Sequence, residues 1–397
     1  MSRLNVGNLF NENEDGAPVV SGISTFSSPH YFVPPSGSTA ERPQNPGEGM
    51  IRFNTDSGHL EYYTGELWVD VIVNNQDLGG GLNGITTNFS TQGTGTRGLF
   101  AGGYNPSPSP GACTDTVDYI TIETLGNSQD FGNLVDARHA GGQLSDRTRA
   151  VYAGGRGPTT PGGSDTANIT FTTIASTGDY ADSSGDLSAA VGVRGTSNST
   201  RGLFGSTIFP YTDTIEYVTI QSLGNAIDFG NLTEVRGYGM ALSSPVRGIF
   251  AGGINNPTNL GTNVIDYVTI SSTGNAQDFG DLTGNSGGAY ESGCAASSTR
   301  GVIAGGTRFN KNIDFFTMAT TGNSQNFGDL DTLSASGKGG TSSQTRGVFA
   351  AGSTPSPANN IMEFITIAAT GNAVDFGDLT RNARLTNAGV SNGHGGL

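Results

Sequence analysis

At 397 residues, with 63 glycines, 16 prolines and a formal charge of −15, the chain exceeds one ordinary domain and suits a large repeat domain with a smaller companion. The acidic balance argues against duplex nucleic acid or an anionic membrane as a non-specific partner, because both reward clustered Lys and Arg. No apolar run approaches a membrane span, and Met1-Ser2-Arg3-Leu4-Asn5-Val6 lacks the basic start and apolar block of a signal peptide, so folding in a cytoplasm without membrane insertion is expected.

Residues 1–46 are predicted to form an extended arm. Pro18, Pro34, Pro35, Pro43 and Pro46 are interspersed with Ser, Gly and isolated apolar residues, in neither a helical nor a strand period. Phe10, Phe26, Tyr31 and Phe32 give this arm hydrophobic contacts suited to ordering against a partner. Residues 47–75 read as a small β module. Two short strands flank an Asp56-Ser57-Gly58 turn, and a third after Gly65 carries Trp68. A Gly-rich linker, 76–83, follows.

The module's phrase, Gly49-Met50-Ile51-Arg52-Phe53-Asn54 with Glu61-Tyr62-Tyr63-Thr64-Gly65-Glu66-Leu67-Trp68, resembles the Gly-x-Ile-Arg-Phe/Tyr-Asn…Glu-x-Tyr-x-Gly-x-x-Trp module of tail-fibre and other virion proteins of tailed phages. The whole opening, including Val20-Ser21-Gly22-Ile23-Ser24-Thr25-Phe26, is especially similar to structural proteins of marine cyanophages. The resemblance implies a place in a virus particle. Other virion proteins would hold the arm, with Phe10, Phe26, Tyr31, Phe32 and Trp68 as anchor, and the chain would form a homo-oligomer.

Residues 84–397 are a tandem array of six similar segments. Phrase one is Arg-Gly-apolar-aromatic-Ala-Gly-Gly, as in Arg97 to Gly103 and Arg247 to Gly253, with looser copies at Arg149, Arg201, Arg300 and Arg346. Phrase two is an acidic-aromatic β-type run such as Asp118-Tyr119-Ile120-Thr121-Ile122, degenerate in the second copy, where Thr170 replaces the acid. Phrase three, for example Gly274-Asn275-Ala276-Gln277-Asp278-Phe279-Gly280, supplies positive-φ residues for a tight hairpin turn. The interval from the acidic position to that glycine is constant, as in 118→126 and 363→371, whereas the interval from Arg to acid varies, as in 97→118 and 300→314. Four strands, a to d, with the phrases on b, c and d, explain this contrast. The b–c loops and d–a connections then share one face, and binding usually lives on such variable loops.

Leu379 to Ser391 resembles the strand-a stretches before Arg149 and Arg247, yet no phrase-one strand follows it. It is therefore expected to complete the first blade and close the ring, leaving no open sheet edge. The expected fold is all-β, a six-bladed β-propeller; an open solenoid would not need this offset. The glycine pair, the acidic-aromatic strand and an aromatic near the blade's end resemble kelch propellers, with Phe131, Phe229, Phe279, Phe327 and Phe376 where kelch blades commonly carry Trp.

Chemical motifs are sparse. The Asp-Phe-Gly triplets at 130–132, 228–230, 278–280 and 375–377 recur once per segment without kinase companions, so they read as structure. His30, His59, His139 and His394 form no ligand pair, Cys113 and Cys294 occupy non-equivalent places, and Gly-x-Ser-x-Gly is missing. No cofactor or metal is expected. The repeat arginines are expected to pair with acidic residues between neighbouring blades. Partner binding falls to the variable loops: Tyr104, Asn105, Phe209, Tyr211, Asn255, Asn256, Arg308, Phe309, Asn310, Lys311, Asn359 and Asn360, whose aromatic and amide groups suit glycan or protein surfaces. The expected function is a non-enzymatic virion structural protein displaying the propeller to a host surface. A lectin-like module outside a virion and a propeller glycosidase, needing two placed carboxylates, are the alternatives.

Overall fold

The computed structural model describes residues 34–56, 59–70, 96–105, 112–157, 165–189, 192–208, 210–255, 258, 260–283, 291–306, 311–332, 337–352, 359–380 and 388–397. The chain divides into two compact units, 1–82 and 83–397. Both are built from β-strands; among the described residues the one helix is a short 3-10 turn, Thr39–Glu41.

In the first unit, Ile51–Asn54 pairs antiparallel with His59–Tyr63, which pairs with Trp68–Asp70, as the module's phrase predicts. Part of the segment read as arm folds onto this hairpin. Ser36–Gly37 lies parallel to Phe53 and Asn54, making a fourth strand. The reason is a buried charge. Glu61 is fully buried, paired with Arg42 and within 3.6 Å of the Arg52 guanidinium, and Asn54 donates to it at 3.1 Å. An isolated buried carboxylate is very costly, so residues 36–42 are recruited to neutralise it. Arg42 foremost holds the Glu61 carboxyl below its usual range. The same guanidinium lies 5.8 Å over the Trp68 ring.

In the second unit, six antiparallel sheets share one plan, each in the order a-b-c-d. Strands b, c and d follow one another along the chain, with short extra strands between b and c in sheets one and four. Sheet one is Ala388–Ser391, Arg97–Ala101, Thr116–Thr121 and Gln129–Asn133; sheet two is Gly142–Ser145, Arg149–Ala153, Asn168–Thr173 and Ala181–Asp186. Sheet three is Gly192–Ser197, Arg201–Ile208, Thr212–Thr219 and Ile227–Gly237, with Ile254–Asn255 as a fifth strand. Sheet four is Met240–Ser243, Arg247–Ala251, Val264–Thr269 and Gln277–Asp281. Sheet five is Gly293–Ala296, Arg300–Ala304, Asn312–Thr317 and Gln325–Asp329, and sheet six is Gly339–Ser342, Arg346–Ala350, Ile361–Thr366 and Val374–Asp378. Sheet one thus takes its strand a from far along the chain, with Val390 opposite Leu99 and Ser391 opposite Gly98.

Every c–d pair shifts register just before the acidic position, for example between Val117 and Asp118 and between Ile265 and Asp266. A bulge breaks strand alternation, so two consecutive residues, Ile265 and Asp266, are both fully buried. One enters the core while the other fastens a loop. Thr233 donates from its hydroxyl to Asp266 at 2.7 Å, Thr283 to Asp314 at 2.7 Å, Thr332 to Glu363 at 2.9 Å and Thr380 to Asp118 at 2.6 Å. Thr233 lies within strand d of sheet three, the other threonines follow strand d of the preceding sheet, and Thr380 after sheet six reaches sheet one.

The core lies between sheets rather than within them. One cluster joins Leu99, Phe131 and Val390 of sheet one to Ala150 and Tyr152 of sheet two. Another joins Val348, Met362 and Phe376 of sheet six to Phe100 and Ile120 of sheet one. Strand a of each sheet contacts strand a of the next, and those of sheets one and two also touch.

The repeat arginines do not pair with acids. Arg97 donates to the carbonyl of Ile174, Arg149 to Ile220, Arg201 to Ile270, Arg247 to Met318, Arg300 to Ile367 and Arg346 to Ile122, all at 2.8–3.0 Å. Each guanidinium also stacks 4.4–4.7 Å over an aromatic ring on strand c of its own sheet. Asp118, Asp266, Asp314 and Glu363 are occupied by threonines and Glu216 by the Ser188 amide, and the carbonyls that end the next sheet's strand c serve as the acceptors. Phrase three is likewise not a tight two-residue hairpin. Its loop reaches sideways, so that Gly126 donates to Phe376, Gly178 to Phe131 and Gly274 to Phe229.

Candidate functional site

A polar space in the second unit lies among the six strands a. Two levels of these strands line it. At the first stand Gln143, Gly195, Ala241, Cys294, Gly340 and Gly389, all lining a cavity of about 70 Å³. Gly340 sits so close to the Cys294 backbone, and Gly389 to the Gly340 backbone, that a Cβ would collide with each. Close strand approach therefore dictates small residues here, and Gln143 is the longest side chain at this level.

Two residues along lies a level of hydroxyls. Ser145 donates to the Ser391 carbonyl at 2.7 Å, Ser197 to Ser145 at 2.7 Å, Ser243 to Ser197 at 2.6 Å and Ser342 to Ala296 at 2.9 Å, and Ser391 donates to Ser342. Only Ala296 lacks a hydroxyl. Residues 392–397 cross this level. A Cβ on Gly395 would meet the Ser297 and Ser243 carbonyls and the Ala296 methyl, and His394 Nε2 lies 3.0 Å from the Ser145 carbonyl. Burial pushes the His394 imidazole down to about 4, and the Ser145 carbonyl opposes this shift.

At the other end the first level is bordered by Arg194, Glu291 and Lys338. Arg194 is oriented by the carbonyls of Gly239, Val193 and Ala140. Burial depresses its pKa, and Glu291 is the largest influence in the other direction. Lys338 pairs with buried Glu363 at 3.0 Å. Tyr238 adjoins, its carbonyl accepting from the Glu291 amide at 3.1 Å. Its phenol is pushed up to about 12 by burial and by Glu291.

Among the described residues two side-chain nucleophiles approach an imidazole; Ser197 Oγ lies 3.5 Å from His394 Nε2 but donates its proton to the Ser145 carbonyl. Cys113 Sγ lies 3.2 Å from His139 Nδ1. Burial raises the thiol to about 11 and lowers the imidazole to about 4. Proton transfer to form an ion pair is therefore uphill by several pKa units, and at neutral pH both partners are neutral. Cys294, raised to about 12 by burial, is also a thiol. Among the described residues, no group of three or more His, Cys, Asp and Glu is placed to hold a metal ion.

Of the residues singled out in sequence, Phe10, Phe26, Tyr31, Phe32, Phe209, Asn256, Arg308, Phe309 and Asn310 lie outside the described residues. The others are tied down by their own surroundings. Trp68 packs its ring 5.5 Å from Tyr63. Tyr104 and Asn105 pair with Cys113 and Ala112, and the Tyr104 ring is 5.4 Å from His139. Tyr211 meets Tyr238 edge-on at 6.1 Å. Asn255 donates to Glu234 at 2.8 Å, Lys311 to the Asp331 carbonyl, and Asn360 to the Leu379 carbonyl at 3.3 Å; Asn359 accepts from the Ile361 amide at 3.3 Å. His139, Glu234, Tyr238, Asp331 and Leu379 all belong to d–a connections or the strand ends that lead into them. These contacts agree with b–c loops and d–a connections sharing one face.

Sequence reasoning missed Gln143, Arg194 and Lys338. The available signal was a polar residue in a strand-a stretch otherwise built of Gly, Ala, Ser and Thr. A scan against protein-family models gives no match, and a search of curated proteins gives none either.

Proposed function

We propose that the six sheets are the blades of a closed, kelch-like β-propeller, and that the chain is a non-enzymatic structural protein of a tailed-phage particle. Closure is supported by the pairing of Ala388–Ser391 with Arg97–Ala101, and by the apolar cluster joining sheets six and one. The virion reading is carried by the first unit. Its phrase resembles virion modules, and residues 36–70 fold as a separate sheet around the buried Glu61. In this reading the segment before residue 36, with Phe10, Phe26, Tyr31 and Phe32, docks on other virion proteins, and the chain assembles as a homo-oligomer. The propeller faces outward, and its b–c loops meet glycan or protein on the host surface. It works without cofactor, nucleic acid or membrane insertion.

Mass spectrometry of purified particles tests this directly. The protein is expected at stoichiometric levels in the particle, and deletion of residues 1–70 is expected to leave a folded second unit that no longer incorporates. Recovery only in the soluble lysate, with particles devoid of the chain, sinks the virion reading.

A further inference from the structure

We propose that the cavity enclosed by the six strands a is a binding site for one uncharged sugar unit, held by the Gln143 carboxamide. Gln143 is only 5% exposed, yet neither its Nε2 nor its Oε1 has a hydrogen-bond partner among the described residues. Buried polar groups are nearly always satisfied, and an unsatisfied one calls for an explanation. A carboxamide presents a donor and an acceptor side by side, which matches adjacent sugar hydroxyls, each able both to donate and to accept.

Charge at the cavity selects against ions. Arg194 and Glu291 bring opposite charges to the border, and Lys338 is neutralised by Glu363. A phosphate or carboxylate ligand would meet no surplus positive charge, and a cation no surplus negative charge. The opposite end is crossed by the tail bearing His394, so the ligand enters from the Arg194 side. This is the loop-bearing side, and the proposal rests on the host-contact reading only for its biological purpose.

The test uses the full chain with glucose, galactose, mannose, fucose, N-acetylglucosamine and N-acetylgalactosamine as probes, and gluconate and acetamide as controls. Saturation-transfer NMR and calorimetry are run on wild type, Gln143→Leu, Gln143→Met and Val246→Ala, the last at an exposed turn between strands a and b of sheet four. At least one neutral sugar is expected to bind, with affinity weakened about tenfold or more in both Gln143 variants and unchanged in Val246→Ala. Both Gln143 variants are expected to melt at or above the wild-type temperature, because an unpaired buried amide has been replaced by an apolar group. The proposal is overturned if no neutral sugar binds, if gluconate or acetamide binds in preference, or if sugar binding survives both Gln143 variants. It is equally overturned if those variants melt well below wild type, which would make the amide structural. None of these results bears on particle incorporation, so the virion reading stands or falls separately.

Discussion

At the residue scale, the repeated letters are explained by contacts between sheets. Gly280 has φ +144°, and a Cβ there would come within 2.5 Å of the Gly322 backbone of the next sheet; Gly377 meets Gly126 in the same way. The Asp-Phe-Gly triplet is therefore a core aromatic followed by a point of backbone contact, as its recurrence once per segment suggests. Gly280→Ala is expected to cost about 2–4 kcal/mol in denaturant unfolding, combining strain with a backbone clash. Gly274→Ala, strained at φ +155° but with open space around it, is expected to cost only about 1 kcal/mol. Equal losses would show that the clash is relieved by movement of the neighbouring loop. The repeat arginines were legible as structural, but their acceptors were not, since a backbone carbonyl leaves no mark in sequence. Arg247→Lys retains the charge but loses the planar stack on Tyr267 and the set angle to the Met318 carbonyl. A loss of about 1–2 kcal/mol is expected, insensitive to salt.

At the scale of elements, strands b, c and d were readable because each carries a phrase of several residues. The cavity was not. One cavity-lining residue per strand a, spaced roughly fifty positions apart, has no local pattern to read, and Ala296 interrupts the serine series where Gly395 crosses. The tail itself is short, glycine-rich and without periodicity, so its docking was invisible too. It makes a pH prediction possible. His394 and His139 are both held near 4 against an ordinary 6.5. Their depressed pKa values mean that the unfolded chain binds protons first. Their contribution to stability is complete above about pH 6.5 and shrinks as pH falls towards 4, by about 2 kcal/mol per histidine after allowance for partial exposure. Urea unfolding between pH 7 and pH 4 should show this slope, and His139→Asn with His394→Asn should flatten it. An unchanged slope in the double variant assigns it to other groups.

At the scale of the molecule, the four-stranded plan shared by the sheets followed from the sequence, while the neighbour relations followed only from the missing strand a of the first segment. The proposed ring makes two truncations unequal. Removing residues 392–397 strips the tail from the serine level but leaves the Ala388–Ser391 pairing in place. Removing 388–397 also uncovers Arg97–Ala101 and one side of the cluster around Val390 and Leu99. The longer deletion is expected to lower the melting temperature by about 10 °C or more relative to the shorter one. Similar melting curves for the two would mean that the last strand contributes little to holding the sheets together.

The late arrival of that strand also has a consequence in time. The Arg97 amide waits for Asn392, 295 residues downstream. At ordinary synthesis rates the interval is roughly 15 to 60 s. Throughout it, Arg97–Ala101, whose Leu99, Phe100 and Ala101 are fully buried in the finished fold, stands as an uncovered apolar edge. A neighbouring nascent chain offers an identical strand to that edge, so crowded synthesis favours exchanged dimers over monomers. Slow expression at low temperature, followed by sizing of the product, measures how often the chain finds its own end first.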